Sequence, residues 1–285
     1  MFEQNSGQRG VADADVLMRY AAEEMMERLS VVQRTFDHCI TAFGRTATLA
    51  ETLGAAPNIK TVRRLEEAHC AVAPSEAPNR AQIHTAKLND LALPAASADL
   101  IIAPWSLHWS PDIPGTFAQI ANALRPDGLF LAALPGPDTL RELRETLLEA
   151  EAEITGGAAR RIDPFTAVRD AGSLLQRAGF ALPVTDQETL TLRYDSLDAL
   201  VRDLRSFGAT ARFAADAPPL SRAIWRRARD LYQQNHSDAD GRVRASFQII
   251  WLSGWKPHES QQKPLKPGSA TTRLADALGT AEKKL

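Results

Sequence analysis

Apolar positions recur along the chain in two rhythms, and each change of rhythm marks an element. Over residues 14–34, Val16, Leu17, Tyr20, Ala21, Met25, Leu29 and Val32 return at steps of about three and four with Glu and Arg between them. That period predicts an amphipathic helix. Cys39 to Phe43 is a short apolar run, Gly44 a loop, and Leu49 to Leu53 a helically spaced segment ending at Gly54, which reads as strand, turn and helix. Thr61–Leu65 predicts a second short strand before Glu66 and Glu67; AVAPSEAPNR is a loop, and residues 82–88 a third strand. From Ala98 the run ADLIIAPW is continuously apolar, as for a strand buried on both faces of a parallel sheet. Ile113, Phe117, Ile120 and Leu124 then space a helix that stops at the turn RPDG, residues 125–128, and LFLAALP is the next buried strand.

Asp138 is positioned to cap a long helix whose apolar residues Leu140, Leu143, Leu147, Ala150 and Ile154 step by three and four until Gly156 and Gly157. A helix over Val168–Arg177, two strand-like runs near Val184 and at Leu190–Tyr194, helices at about 197–207 and 220–233, and the strand SFQIIWLSGW complete the pattern. Strand and helix alternate, so the fold class is α/β: a doubly wound, mostly parallel sheet with antiparallel strands at one edge and an N-terminal helix. The expected divisions are an N-terminal helical flank, 1–35; a main domain, 36–255, with a helical insertion at about 196–240; and a tail, 256–285, rich in Lys, Pro, Gln and Ser.

Composition narrows the class further. With 285 residues the chain is long enough for a large core, and 44% hydrophobic against 24% charged residues is the balance of a globular protein. A net charge of -2 argues against nucleic acid bound through bulk charge. Two cysteines, Cys39 and Cys70, form no C-x-x-C pair, which fits a reducing compartment, and no apolar stretch approaches the length of a membrane span. A cytoplasmic protein is expected, with at most peripheral membrane association.

The segment ADLIIAPWSLHWSPDIPGTFAQIANALRPDGLFLAAL resembles the fourth strand, following helix and fifth strand of class I S-adenosylmethionine-dependent methyltransferases. SLHWSPDIPGTF, GPDTLRELRETLLEAEAE, LQRAGFALPV, LRYDS and FQIIWLSGWKPHESQQKPLKPGSA make the chain most similar to the complex I assembly factor and arginine hydroxylase family, which is related to the malonyl-carrier-protein methyltransferases of biotin synthesis. This resemblance implies a seven-stranded Rossmann-like sheet, adenosylmethionine as cofactor, and a protein substrate or assembly partner, a respiratory complex I subunit among the candidates.

Residue by residue, the implied first loop is CITAFGRTATLAETL, where Gly44 stands alone, Thr41 occupies the place of the usual acidic residue and Ala47 that of a later glycine. Arg45 in that loop can hold a carboxylate bidentately or simply be solvated. Glu66 or Glu67 fits the acceptor of the ribose hydroxyls; the alternative is two surface acids after Arg63 and Arg64. Asn89 or Asp90, ahead of Leu93–Pro94, fits the adenine contact. Trp105 can stack on the ligand and Trp109 wall the pocket, or both can be core aromatics. His108 is the candidate catalytic base, with Asp112 placed to orient it, and no spacing of ligands points to a metal. Arg222, Arg226, Arg227 and Arg229 either grip an acidic partner or form a solvated face. The tail, with six Lys or Arg against three Asp or Glu, reads equally as a docking segment or a loose extension.

Overall fold

The computed structural model describes residues 16–44, 46–67, 82–206 and 218–262. In chain order its elements are α1 (Val16–Ser30), β1 (Cys39–Ala42), α2 (Thr48–Ala55), β2 (Val62–Glu66), β3 (Gln82–Thr85), β4 (Ala98–Pro104), α3 (Ile113–Ala123), β5 (Leu124–Pro135), α4 (Arg141–Thr155), α5 (Val168–Arg177), β6 (Ala181–Tyr194), α6 (Leu197–Ser206), α7 (Arg222–His236) and β7 (Val243–Trp255). The seven strands form one sheet in the order β3-β2-β1-β4-β5-β7-β6. The first five are mutually parallel, and β7 runs antiparallel to both β5 and β6.

The pleat sorts the central strands between two cores. Leu100 and Ile102 of β4 and Leu129, Leu131 and Ala133 of β5 face a core completed by α1, α2, α4, α6 and α7. Ile101 and Ala103, with Phe130, Ala132 and Leu134, face the opposite core with α3 and α5. Alternate residues therefore point into different layers, and both layers are apolar, which is why these strands read as continuous hydrophobic runs. The face of α1 carrying Leu17, Ala21, Met25 and Leu29 is buried in the first core, and its Tyr20 hydroxyl donates to Glu188 of β6 at 3.0 Å.

Several local expectations are corrected. RPDG does not separate helix from strand: β5 starts at Leu124, and the register with β4 shifts between Ala98 and Leu100, so Arg125–Gly128 is accommodated as an irregularity at the start of the strand. Asp138 does not cap α4, because the residue before the helix is Leu140, in a left-handed conformation, whose amide donates to Ser246 O at 2.7 Å. The two runs near Val184 and Leu190 are one strand, β6, paired with β7 along its length. The first residues of the expected tail are tied down: Asp127 N donates to Lys256 O at 3.0 Å, Lys256 N to Gly128 O at 2.8 Å, and Gln261 Nε2 to Asp127 Oδ1 at 2.9 Å. The rest of the tail, residues 1–15, Cys70 and the AVAPSEAPNR loop lie outside the described residues.

Candidate functional site

In an open parallel sheet ligands sit beyond the carboxyl ends of the strands, where the order reverses. Here the reversal is at β1, which pairs with β2 on one side and β4 on the other. The chain leaves β1 through Phe43 at φ 56 and leaves β4 through Trp105 at φ 47, and α4 is entered through Leu140 at φ 55. A left-handed conformation disfavours side chains, and two such residues at the ends of the adjacent strands β1 and β4, with a third at the entry to α4, mark a shaped crevice. Ser106 Oγ donates to Ala42 O at 3.0 Å and locks the β4 exit to the β1 exit. A Cβ built on Gly44 would meet only Pro104 Cγ at 3.6 Å and Thr46 O at 3.7 Å. Among the described residues, ordinary contact distances thus leave room for a methyl group at that position.

At the end of β2 lies the most unusual electrostatic feature. Arg64 and Glu66 are two apart on a strand, so they share a face. Both are buried, with side chains 1% and 4% exposed, and they pair at 3.1 Å. Arg64 Nη2 also donates to Thr46 O at 3.2 Å, which anchors the loop after β1 to β2. Glu66 thus occupies the strand-end position expected of a ribose acceptor while it neutralises a buried guanidinium; Glu67 is half-buried beside it. Asn89 and Asp90 are exposed in a turn, where Asn89 O accepts from Gln119 Nε2 at 2.8 Å. Arg45 lies outside the described residues. Trp105 is buried, edge-on to Phe247 with ring centroids 6.4 Å apart, and its indole Nε1 has no hydrogen-bond partner among the described residues. Gly44, Glu66 and Trp105 therefore fit an adenosyl ligand: an open cradle, a carboxylate at the strand end and an unused buried donor.

His108 stands in a short 3-10 turn, Leu107–Trp109, directly after β4. Its ring lies 4.2 Å from that of Trp109 and 5.9 Å, edge-on, from that of Phe165. All three line a cavity of about 290 Å³, together with Asp163 and the α4 residues Leu143 and Leu147. Asp112 does not orient His108. Its carboxylate caps α3 by accepting the amide of Gly115 at 2.9 Å, the ordinary use of an Asp at that position. Asp163, with a buried carboxylate oxygen that has no hydrogen-bond partner among the described residues, faces the cavity instead, and sequence reasoning missed it. It lies in a loop without periodicity, and the Asp-Pro pair at 163–164 is the only signal the chain offers there. Arg161, beside it, is fixed by Glu151, whose carboxyl keeps a lowered pKa against the cost of its burial because Arg161 and the amide of Ala159 both bond it. Cys39, by contrast, is buried in β1, and burial pushes its thiol far up, which disfavours the thiolate. Among the described residues no group of three or more His, Cys, Asp or Glu can hold a metal.

This sheet order, with its antiparallel β7 and its crevice at the β1 turn, makes the chain a class I methyltransferase-fold protein. Residues 43–132 match the family model described as a methyltransferase domain. The [4+2]-cyclase SpnF has the same fold, at a TM-score of 0.52 and 16% identity over 84% of this chain and 81% of that one. So has the YcgJ protein of Bacillus subtilis, at a TM-score of 0.50 and 12% identity over 84% and 99%.

Within that class the chain is similar to the mitochondrial arginine-hydroxylase NDUFAF5. It is 41% identical to the Dictyostelium discoideum protein over 65% of this chain and 43% of that one, and 40% identical to the Homo sapiens protein over 62% and 52%. It is also 35% identical to the malonyl-[acyl-carrier protein] O-methyltransferase of Laribacter hongkongensis, over 64% of this chain and 59% of that protein. The chain spans about half the length of the curated relatives it matches. No helix among the described residues is long and apolar enough to cross a membrane.

Proposed function

We propose that this protein binds S-adenosylmethionine in the crevice between β1, β2 and β4 and modifies a side chain of a partner protein. The observation that carries this reading is the 41% identity to a protein named for arginine hydroxylation, within a methyltransferase fold. Gly44 would admit the methionine portion close to the backbone, Glu66 would accept the ribose hydroxyls, and the Trp105 indole would face the ligand. When bound, adenosylmethionine would supply a sulfonium-activated methyl group to a nucleophilic acceptor. His108, at the mouth of the cavity beyond β4, takes the proton that the acceptor sheds, and Asp163 offers a carboxylate to a cationic side chain. Trp109 and Phe165 exclude water from the reacting groups. A respiratory complex I subunit is the partner implied by the family resemblance. The free, buried thiol of Cys39 fits a reducing compartment. Cytoplasm is the expectation for this chain, and the relatives named above as arginine-hydroxylases are mitochondrial.

A second reading, a non-catalytic assembly factor, draws on one observation: β1 carries Thr41 near its end, the loop after it holds a strained Phe43 and Ala47, and the nearby Glu66 already serves Arg64. Calorimetric titration with adenosylmethionine and its demethylated product separates the two. A micromolar dissociation constant, roughly -8 kcal/mol, supports the enzyme, and mass spectrometry of the partner then distinguishes a methyl from a hydroxyl product. No heat from folded protein at millimolar ligand leaves the assembly role.

A further inference from the structure

A second cavity of about 640 Å³ opens from the first, sharing Leu143, Leu147, Arg161, Val201 and Arg205 with it, and runs between α4, α6 and the start of α7. Five arginines line it: Arg161, Arg205, Arg222, Arg226 and Arg229. Two of these charges are used internally, Arg161 by Glu151 and Arg229 by Asp198 at 3.3 Å. Asp198 also accepts from Trp225 Nε1 at 3.0 Å, so the acidic side chains at this groove are engaged. Arg205, Arg222 and Arg226 are exposed and make no ion pair among the described residues. Their placement runs against helix energetics. Arg222 is the first residue of α7, whose opening turn holds no acid, although the helix dipole favours negative charge there. Arg226 follows one turn later, and like charges at that spacing repel. A chain of net charge -2 has no general need of such a cluster. Local choices that cost stability without internal compensation belong to function.

We infer that this groove is the docking site for an acidic, extended segment of the partner protein, which leads the side chain to be modified toward His108. Carboxylates of the segment meet Arg205, Arg222 and Arg226, while apolar side chains between them rest on Leu143, Leu147 and Trp225. Nucleic acid fits less well, since single strands want exposed stacking faces along a basic track and this floor is aliphatic, with its one indole held by Asp198. The inference deepens the protein-partner reading above by naming the chemistry of the partner.

The test uses the full chain, with fluorescence anisotropy of a labelled dodecapeptide of repeated Glu-Ala-Leu-Glu, and with a Lys-Ala-Leu-Lys dodecapeptide and a uridine dodecamer as comparisons. The acidic peptide should bind saturably and weaken as salt rises. The doubly substituted Arg222→Glu, Arg226→Glu protein should lose about tenfold or more in affinity, and Arg226→Ala a smaller factor, at unchanged melting temperature. Absence of saturable binding, equal affinity in the double variant, or equal binding of the uridine dodecamer overturns the inference. Adenosylmethionine titrated into the same proteins keeps the two readings apart: loss of donor binding in the unsubstituted chain sinks the proposed chemistry, whereas the docking result stands or falls on the arginine variants.

Discussion

The buried pair at the end of β2 offers a perturbation whose effects on stability and on ligand binding can be separated. Arg64 and Glu66 lie 3.1 Å apart with almost no exposed surface. Glu66→Gln keeps the shape of the side chain and removes its charge, leaving a guanidinium buried without its carboxylate. Breaking a buried pair from one side costs about 3–5 kcal/mol, a large share of the roughly 5–15 kcal/mol that stabilises a domain. Arg64→Met, which takes the guanidinium away from the buried Glu66 carboxylate, should cost a comparable amount. The double variant Arg64→Met, Glu66→Leu removes both charges together and should recover most of the loss, because desolvation is relieved along with attraction. Urea unfolding of the four proteins gives the cycle. The exposed Lys60–Asp37 pair, 2.7 Å long but open to water, is the control and should contribute far less than the buried pair. A Glu66→Gln cost below about 1 kcal/mol would refute the electrostatic account. Ligand binding supplies the second half: the double variant, stable again but lacking the carboxylate, should no longer bind adenosylmethionine measurably. Wild-type affinity there would remove Glu66 from the site.

Burial raises Asp203 to about pH 6 against the lowering effect of its bond from Tyr194, so the fold prefers the neutral acid. Its favourable contribution is complete below the unfolded value near 4 and is lost as pH rises through 6. Asp203→Asn should therefore stabilise the protein by roughly 1 kcal/mol at pH 8, after allowance for solvent screening, and by nothing near pH 4; a difference independent of pH would contradict this. Gly44→Ala, whose new methyl meets only Pro104 and Thr46 at ordinary contact distance, should change stability by less than about 0.5 kcal/mol yet weaken adenosylmethionine binding in calorimetry. Gly254→Ala should behave in the opposite way. Its Cβ would lie 2.9 Å from Phe180, which is itself stacked on Phe130 at 5.3 Å, so unfolding should show a cost of about 1–3 kcal/mol with donor affinity unchanged.

What the sequence revealed of the fold depended on how many faces of each element are buried. β4 and β5 lie between two apolar layers and announce themselves as unbroken runs, and α3 beside them carries one clean stripe. β6 is an edge strand whose exposed and half-buried positions alternate, with Thr, Asp, Gln and Glu from 185 to 188, so its middle reads as a loop although β7 pairs with it throughout. Asp138 carried a sound capping signal but lost to tertiary structure: Gln248 Oε1 accepts its amide at 3.2 Å, and the entry to α4 is set by Leu140 and Ser246 instead. β4, β5 and α3 follow from their own periodicity, whereas the middle of β6 and the entry to α4 are set by pairing with β7.

The site divides along the same line. Gly44, Glu66 and Trp105 could be singled out because strand ends are fixed by periodicity, and the proposed site is built from strand ends. That Arg64 and Glu66 share a face follows from period two, but their burial does not, because it depends on the loop after β1 that packs against them. Asp163 carried no such mark, because its position depends on how the loop after α4 folds back over His108. These two halves bear on the substituted loop after β1. Thr41 lies in register with Arg64, where an acid would have stood beside the guanidinium. With a neutral residue at 41, the duty of balancing Arg64 passes to Glu66, and Arg64 in turn holds Thr46 of the loop through its carbonyl. The loop is thus shaped by a strand-two ion pair rather than by glycines of its own, which explains how Phe43 can be kept in a left-handed conformation. On the proposed reading, stability of this loop and donor binding would be coupled through one carboxylate, since a ribose that recruits Glu66 would share it with Arg64.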